Sequence, residues 1–387
     1  MPVKNRFAEL HADITAWRRD IHAHPEILYD THRTSALVAE KLRAFGCDEV
    51  TEGVGRTGVV GVIRGQGAGA RTIGLRADMD ALPIHEATGL DYASATPGAM
   101  HACGHDGHTA MLLGAAQYLA ETRHFDGTVV LIFQPAEEGG AGGKAMVDDG
   151  LMERWGIDEV YGLHNMPGLP VGAFATRPGA LLASADEFEI RVRGKGGHAA
   201  MPHDAIDTTL VAAQIVVTLH SIVARNVDPL RSVVLTVGTL ETESHASNVI
   251  PDSARLTGTV RTLATEDRAL SERRIREVAQ GTAAAFGACA EVIWTEGYPV
   301  TINDAGAVSR AVEIARQVGT EVDADAAPIM PAEDFSFMLE KRPGAYLFVG
   351  NGDSAMCHYP AYNFNDEAIP YGCSFFAELV ERLMPAR

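Results

Sequence analysis

Three observations predict an α/β protein with a smaller unit inserted into it. Strand-like apolar runs alternate with helix-like ones along most of the chain, the signature of a mostly parallel sheet flanked by helices. A block over roughly 183–297 interrupts that alternation with a different order of elements, and α/β sequence resumes after it. At 387 residues the chain also exceeds what one hydrophobic core usually serves. The expected domains are therefore a discontinuous one, 1–182 with 298–387, and an insert, 183–297.

The elements follow in order. "TGVVGVIRG" (57–65) and "RTIGLRAD" (71–78) read as strands, and "HTAMLLGAAQYLAE" (108–121) has apolar residues at helical spacing. "GTVVLIFQPAEE" (127–138) is a buried strand running into a polar turn, and "DEVYGLHNMPG" (158–168) is another strand. After the insert, "RAVEIARQVG" (310–319) reads as a helix, "GAYLFVGNG" (344–352) as a strand and "CSFFAELVERLM" (373–384) as the closing helix. Inside the insert, "DEFEIRVRG" alternates like a strand and "DAIDTTLVAAQIVVTLHSIVAR" reads as a helix. "RSVVLTVGTLE" and "DSARLTGTVRTL" are two further strands, "EDRALSERRIREVAQGTAAAFG" a helix and "CAEVIWTEG" a strand. That order, βαββαβ, is ferredoxin-like.

Composition narrows the function. A net charge of −19 argues against a nucleic-acid partner, because neutralising phosphates requires a basic face. An anionic substrate would need locally placed cations or metal ions. No apolar run approaches the ~18 residues of a membrane span, and the charged N-terminus lacks the apolar stretch of a signal peptide. With five scattered cysteines read as thiols, a cytoplasmic protein with no membrane partner is expected.

"MHACGHDGH" (100–108) places three histidines, a cysteine and an aspartate in nine residues. Other metal-type residues fall at strand ends, where open α/β sheets carry their sites. Asp78 and Asp80 follow the strand 71–77, Glu137 and Glu138 the strand 127–133, His164 ends 158–163, and His358 follows 345–350 after a short loop. A structural zinc site closes its shell with local pairs such as CxxC. Donors from several segments, rich in carboxylate and with one nearby thiol, suit a catalytic site for one or two ions. Adjacent residues in a turn point different ways, so one glutamate of "PAEEGG" can bind metal while the other faces the water.

Several stretches together, among them "RRDIHAHPE", "RADMDALPIHE", "MHACGHDGHTAMLLGAA", "FQPAEEGGAGGKAMVDDG", "GLHNMPGLPVG", "GGHAAMPHDAID", "SNVIPDSARLTGTVRT", "AEDFSF" and "CHYPAYNFND", resemble the hippurate hydrolase branch of the metal-dependent aminoacylase and carboxypeptidase family. The resemblance runs from about residue 15 to 385 and implies a zinc-peptidase-like catalytic domain with an inserted lid that also forms the dimer contact. It implies that Cys103, His105, Glu138, His164 and His358 hold one or two divalent ions (zinc, manganese, nickel or cobalt), with Cys103 where other branches use a bridging aspartate. By the same resemblance Glu137 is the general base, and Asp78 and Asp80 stand behind the ligands, Asp80 orienting a histidine. His101 and His108 are read as supporting or helix-start residues. His198 of the insert would stabilise the oxyanion across the dimer interface, and Asn248 and Arg261 would hold the substrate carboxylate.

The implied reaction is hydrolysis of the amide of a small N-acyl amino acid, hippurate-like or N-acetylated, by a homodimer or dimer of dimers. N-acetyldiaminopimelate deacetylation and dipeptide or carboxypeptidase cleavage are alternatives on the same scaffold. A thiol enzyme with Cys103 as nucleophile and a non-catalytic metal-binding protein are the readings from other classes.

Overall fold

The computed structural model describes residues 4–67 and 69–386. The chain divides into two compact units: Met1–Leu181 with Ile302–Ala327 and Asp334–Arg387, and Leu182–Thr301 with Pro328–Glu333. The short segment 328–333 joins the second unit because the Ala183 N–H donates to the Pro331 carbonyl (3.0 Å) and Ile329 bridges Leu182.

The first unit is built on an eight-stranded mixed sheet. Its spatial order is Glu49–Val54, Gly58–Arg64, Thr128–Gln134, Thr72–Asp78, Glu159–Pro167, Gly344–Gly352, Ala173–Ala175 and Glu321–Asp323. The four strands from 128–134 to 344–352 run parallel, so their carboxyl ends share one edge. Strands 58–64, 72–78 and 128–134 are buried at nearly every position, as expected of strands covered on both faces. Each fully buried Val, Leu, Ile or Phe in them contributes about 1.5–3 kcal/mol relative to exposure.

The helix after the "MHACG" turn spans His105–Thr122, starting earlier than the apolar pattern from 108 suggests. It is buried on almost every side and packs against helices Asn5–Ala23, His32–Phe45 and Ile369–Leu383. His105 and His108 therefore lie on its first turn, three residues apart and on one face. The strand containing His164 likewise continues to Pro167, so His164 sits within it and not at its end.

The second unit is a four-stranded antiparallel sheet, in spatial order Val233–Thr242, Ser253–Thr262, Ala185–Arg193, Cys289–Tyr298. Helices Thr208–Arg225 and Thr265–Ala285 pack on it, giving the βαββαβ order. Helix 208–225 meets the length and hydropathy of a membrane span (mean hydropathy 1.4), which the sequence reading of apolar runs did not anticipate. Its Val211, Ala212, Ile215, Leu219 and Ile222 fall at helical spacing and fill the core of this unit. Asp207 caps it, accepting from the Thr209 and Leu210 N–H groups.

Candidate metal centre

The parallel strands of the first unit carry their polar residues to one edge, as the open-sheet rule requires. Asp78 ends strand 72–78, and Asp80 follows two residues later; both are fully buried. Strand 128–134 runs into Pro135, Ala136, Glu137 and Glu138. Ala136 (φ +53°) and Ala141 (φ +54°) hold left-handed backbone on either side of the glutamate pair. Such non-glycine positions cost about 1–3 kcal/mol each and persist where surrounding contacts enforce them. Asp80 is one such contact, accepting from the N–H groups of Glu137 (2.9 Å) and Glu138 (3.1 Å). His358, also left-handed at φ +67°, is held by its N–H donating to the Ala102 carbonyl (2.7 Å).

These segments bring the five expected donors together. Cys103, His105 and His164 form one group whose donor atoms all lie within 4.8 Å of one another, and Cys103, Glu138 and His358 form another. His105, Glu137 and Glu138 make a third such group. The Cys103 Sγ lies 3.4 Å from His164 Nε2, and Glu138 Oε1 lies 3.8 Å from His105 Nε2 and 3.3 Å from His358 Nε2. Cys103, His105 and Glu137 are buried, while His358 is exposed and marks the open side.

The polar bookkeeping of this pocket fits a cation. Among the described residues, both ring nitrogens of His105 and Oε1 of Glu138 are buried without a hydrogen-bond partner, a condition worth about 1–3 kcal/mol per atom if uncompensated. Burial opposes a charge on His105, yet Asp78, Asp80 and Glu138 around it raise its pKa to about 10. A pocket that draws positive charge onto a buried imidazole is one that a divalent ion would satisfy. Burial likewise works against Asp78, but His105, His108 and Arg76 hold its carboxyl well below the usual range. Burial pushes Asp80 up, and its Oδ1 lies 3.4 Å from His105 Nδ1. Cys357 and burial push the Cys103 thiol well above its ordinary value, so an incoming ion has to displace a proton there.

His108 forms a further such group with Asp78 and His105, but its ring nitrogens are already engaged. His108 is bonded at both ring nitrogens, to Asp78 Oδ1 (2.6 Å) and to the Asn165 N–H (2.9 Å). His101 is buried and belongs to none of these groups, and burial lowers its pKa to about 3.

In the second unit, His198 and Asn248 come close: Val249 pairs with His198 across the ribbon Gly197–His198/Val249–Ile250, and the Ala199 N–H donates to the Asn248 carbonyl (3.0 Å). Both side chains are exposed. Arg261 is not brought to them. It lies near the far end of strand 253–262, roughly 27 Å along from the end nearest the ribbon.

Sequence reasoning missed several supports. Arg76 is fully buried and donates to Asp78 (2.7 Å), Gln134 (2.9 Å) and Asp334 (3.1 Å), tying two strand ends to the "AEDFSF" segment. Arg18 and His22 reach Asp106 from the N-terminal helix at 2.7 and 2.8 Å, anchoring the first turn of helix 105–122. Gly104 opens that helix at φ +93°, and a Cβ there would collide with the Asn165 amide and the Tyr362 hydroxyl. Gly104→Ala is expected to cost about 1–3 kcal/mol and to lower metal content in parallel. Thermal unfolding with metal analysis checks this; a variant matching wild type in both contradicts it.

The chain matches the description Peptidase family M20/M25/M40 over residues 74–382. It belongs to this family. Among M20 relatives, it is 43% identical over 373 residues to hippurate hydrolase of Campylobacter jejuni, covering 96% of each chain. It is 42% identical over 367 residues to thermostable carboxypeptidase 1 of Saccharolobus solfataricus, covering 93% of this chain and 92% of that one. A dinuclear metal-binding peptidase of the M20 family from Bacillus subtilis superposes with a TM-score of 0.86 at 35% identity, over 98% of this chain and 100% of the other. The chain is an M20 hydrolase with an α/β fold shared by this solved relative.

Proposed function

We propose that this M20 hydrolase cleaves the amide bond of N-acyl amino acids, hippurate-like or N-acetylated, releasing a carboxylic acid and an amino acid. The observation that supports it most is the gathering of Cys103, His105, Glu138, His164 and His358 in one pocket with Glu137 beside them. The name of the Campylobacter jejuni relative agrees with it.

Cys103 belongs to two of the donor groups, so Cys103, His105, His164, Glu138 and His358 would together hold one or two divalent ions. Sulfur and imidazole donors favour zinc; manganese, nickel and cobalt are the other candidates. When bound, the ions supply Lewis acidity, polarising the acyl carbonyl and acidifying water. Glu137 takes the proton of the attacking water and passes it to the leaving nitrogen. Asp80 holds the main chain of Glu137 and Glu138 during this transfer, and Asp78 supports the ligands from behind.

His198 donates to the carbonyl oxygen as it becomes an oxyanion, an interaction typically worth about 3–4 kcal/mol. We assign it to a second copy of the chain in a homodimer, with the insert 183–297 acting as lid and dimer contact on the catalytic domain 1–182 and 298–387. Asn248 and Arg261 are candidate holders of the substrate carboxylate. Their separation along the sheet makes them alternatives, not joint partners, within one copy. All five cysteines are free thiols, in keeping with a cytoplasmic location.

The test strips the protein with a chelator and assays a panel including N-benzoylglycine, N-acetylated amino acids and dipeptides, with zinc, manganese, nickel or cobalt restored singly. Turnover of an N-acyl amino acid should fall to background without metal and return on addition. Activity that survives metal removal would replace this reading with a thiol enzyme using Cys103. Cleavage of dipeptides alone would favour the carboxypeptidase reading, which the Saccharolobus solfataricus relative supports.

A further inference from the structure

Asn165 follows His164 in strand 159–167, is fully buried, and has every polar group engaged. Its N–H donates to His108 Nε2 (2.9 Å), so that nitrogen is an acceptor and the ring hydrogen lies on Nδ1, facing Asp78 Oδ1 at 2.6 Å. Its carbonyl accepts from His164 Nδ1 (2.6 Å), which leaves the His164 Nε2 lone pair aimed at Cys103 Sγ, 3.4 Å away. Its side-chain Nδ2 donates to the Cys103 carbonyl (2.6 Å), and its Oδ1 accepts from the Tyr362 hydroxyl (2.7 Å). The Cys103 contact fixes which way the amide faces, since a carbonyl can only accept, so the NH2 group points to it and Oδ1 is left to the Tyr362 hydroxyl.

Asn165 thus touches the neighbours of two donors that come from different segments. It sets the tautomer of His164 through its main chain and the position of the Cys103 peptide through its side chain. The turn beyond Cys103 is closed around the same amide, because at Gly104 any side chain would strike it.

We propose that Asn165 is a positioning residue for the metal centre, an amide clamp anchored by the Asp78–His108 pair and Tyr362 that holds the Cys103 thiolate in register with His164. The inference rests on the reading of Cys103 and His164 as metal ligands and adds what aligns them. His108 is then part of the clamp and not a donor, since both of its nitrogens are committed. Residues that hold ligands in place typically contribute about 10- to 100-fold to metal affinity.

The test titrates metal-stripped full-length protein with cobalt(II), reading the dissociation constant by competition with a chelator and the near-ultraviolet thiolate-to-cobalt band. Asn165→Ala is expected to bind cobalt about 10- to 100-fold more weakly, with a weakened or shifted thiolate band, in addition to the loss of metal-free stability that removing a buried, hydrogen-bonded amide brings. Tyr362→Phe frees the amide without removing it and should shift both readouts the same way by a smaller factor, which keeps the test open if Asn165→Ala fails to fold. Variants with wild-type affinity and band overturn the clamp alone. So does a fall in metal-free stability with an unchanged band, because the role is then only structural. A wild-type protein that shows no thiolate band on binding cobalt overturns the ligand reading, and the clamp with it.

Discussion

Glu137→Gln is expected to take up as much metal as the wild-type protein and to lose about 10²- to 10⁴-fold in kcat, the range over which a positioned proton acceptor acts. Glutamine keeps the size of the side chain, and the main-chain contact with Asp80 does not depend on it. What disappears is the ability to accept a proton from water. KM should change little, because the substrate's own contacts are untouched. The neighbouring substitution separates the two glutamates: Glu138→Gln should lower metal content, since Oε1 of Glu138 lies between His105 and His358. Steady-state kinetics with metal analysis on both variants decides the matter. A Glu137→Gln enzyme that turns over at the wild-type rate removes the general-base role.

Arg76→Met should destabilise the fold by about 3–5 kcal/mol, the usual result of removing one partner from a buried ion pair. Methionine fills a similar length but carries no charge, so Asp78 and Asp334, both fully buried, lose the cation between them. Asp334 keeps the Gly143 N–H (2.7 Å) and the Gln134 amide (2.7 Å), and Asp78 keeps His108, which limits the loss without cancelling it. Urea unfolding of the metal-free protein measures it. A shift below about 1 kcal/mol would mean that those hydrogen bonds satisfy the carboxylates unaided.

How far the sequence disclosed this site follows from where each signal resides. Apolar runs that end in Asp78, Glu137 and His358 are visible because burial on both faces writes a continuous hydrophobic stretch, and polar residues after it stand out. The start of helix 105–122 was hidden because its first turn, His-Asp-Gly-His, is polar for chemistry and buried all the same. For the same reason the strand through His164 looked as if it stopped there, although Asn165 continues it. The short strands 173–175 and 321–323 carry too few residues for alternation to register. Arg76, Asp334, Asn165 and Tyr362 left no local trace, because a buried polar contact is a property of two distant segments at once. The strands of the second unit were readable, since they alternate between a covered and an exposed face.

The strand order also governs how such a chain can be made. Residues 344–352 occupy the slot between strands 159–167 and 173–175, yet they leave the ribosome after the whole second unit. During synthesis the N-terminal strands wait with an open seam in the middle of their sheet, and the second unit itself is completed only when segment 328–333 follows. His358 arrives later still, so the pocket has its full set of donors only after strand 344–352 has emerged. Truncated chains ending before residue 344 would then present an unclosed sheet, the kind of species that chaperones retain.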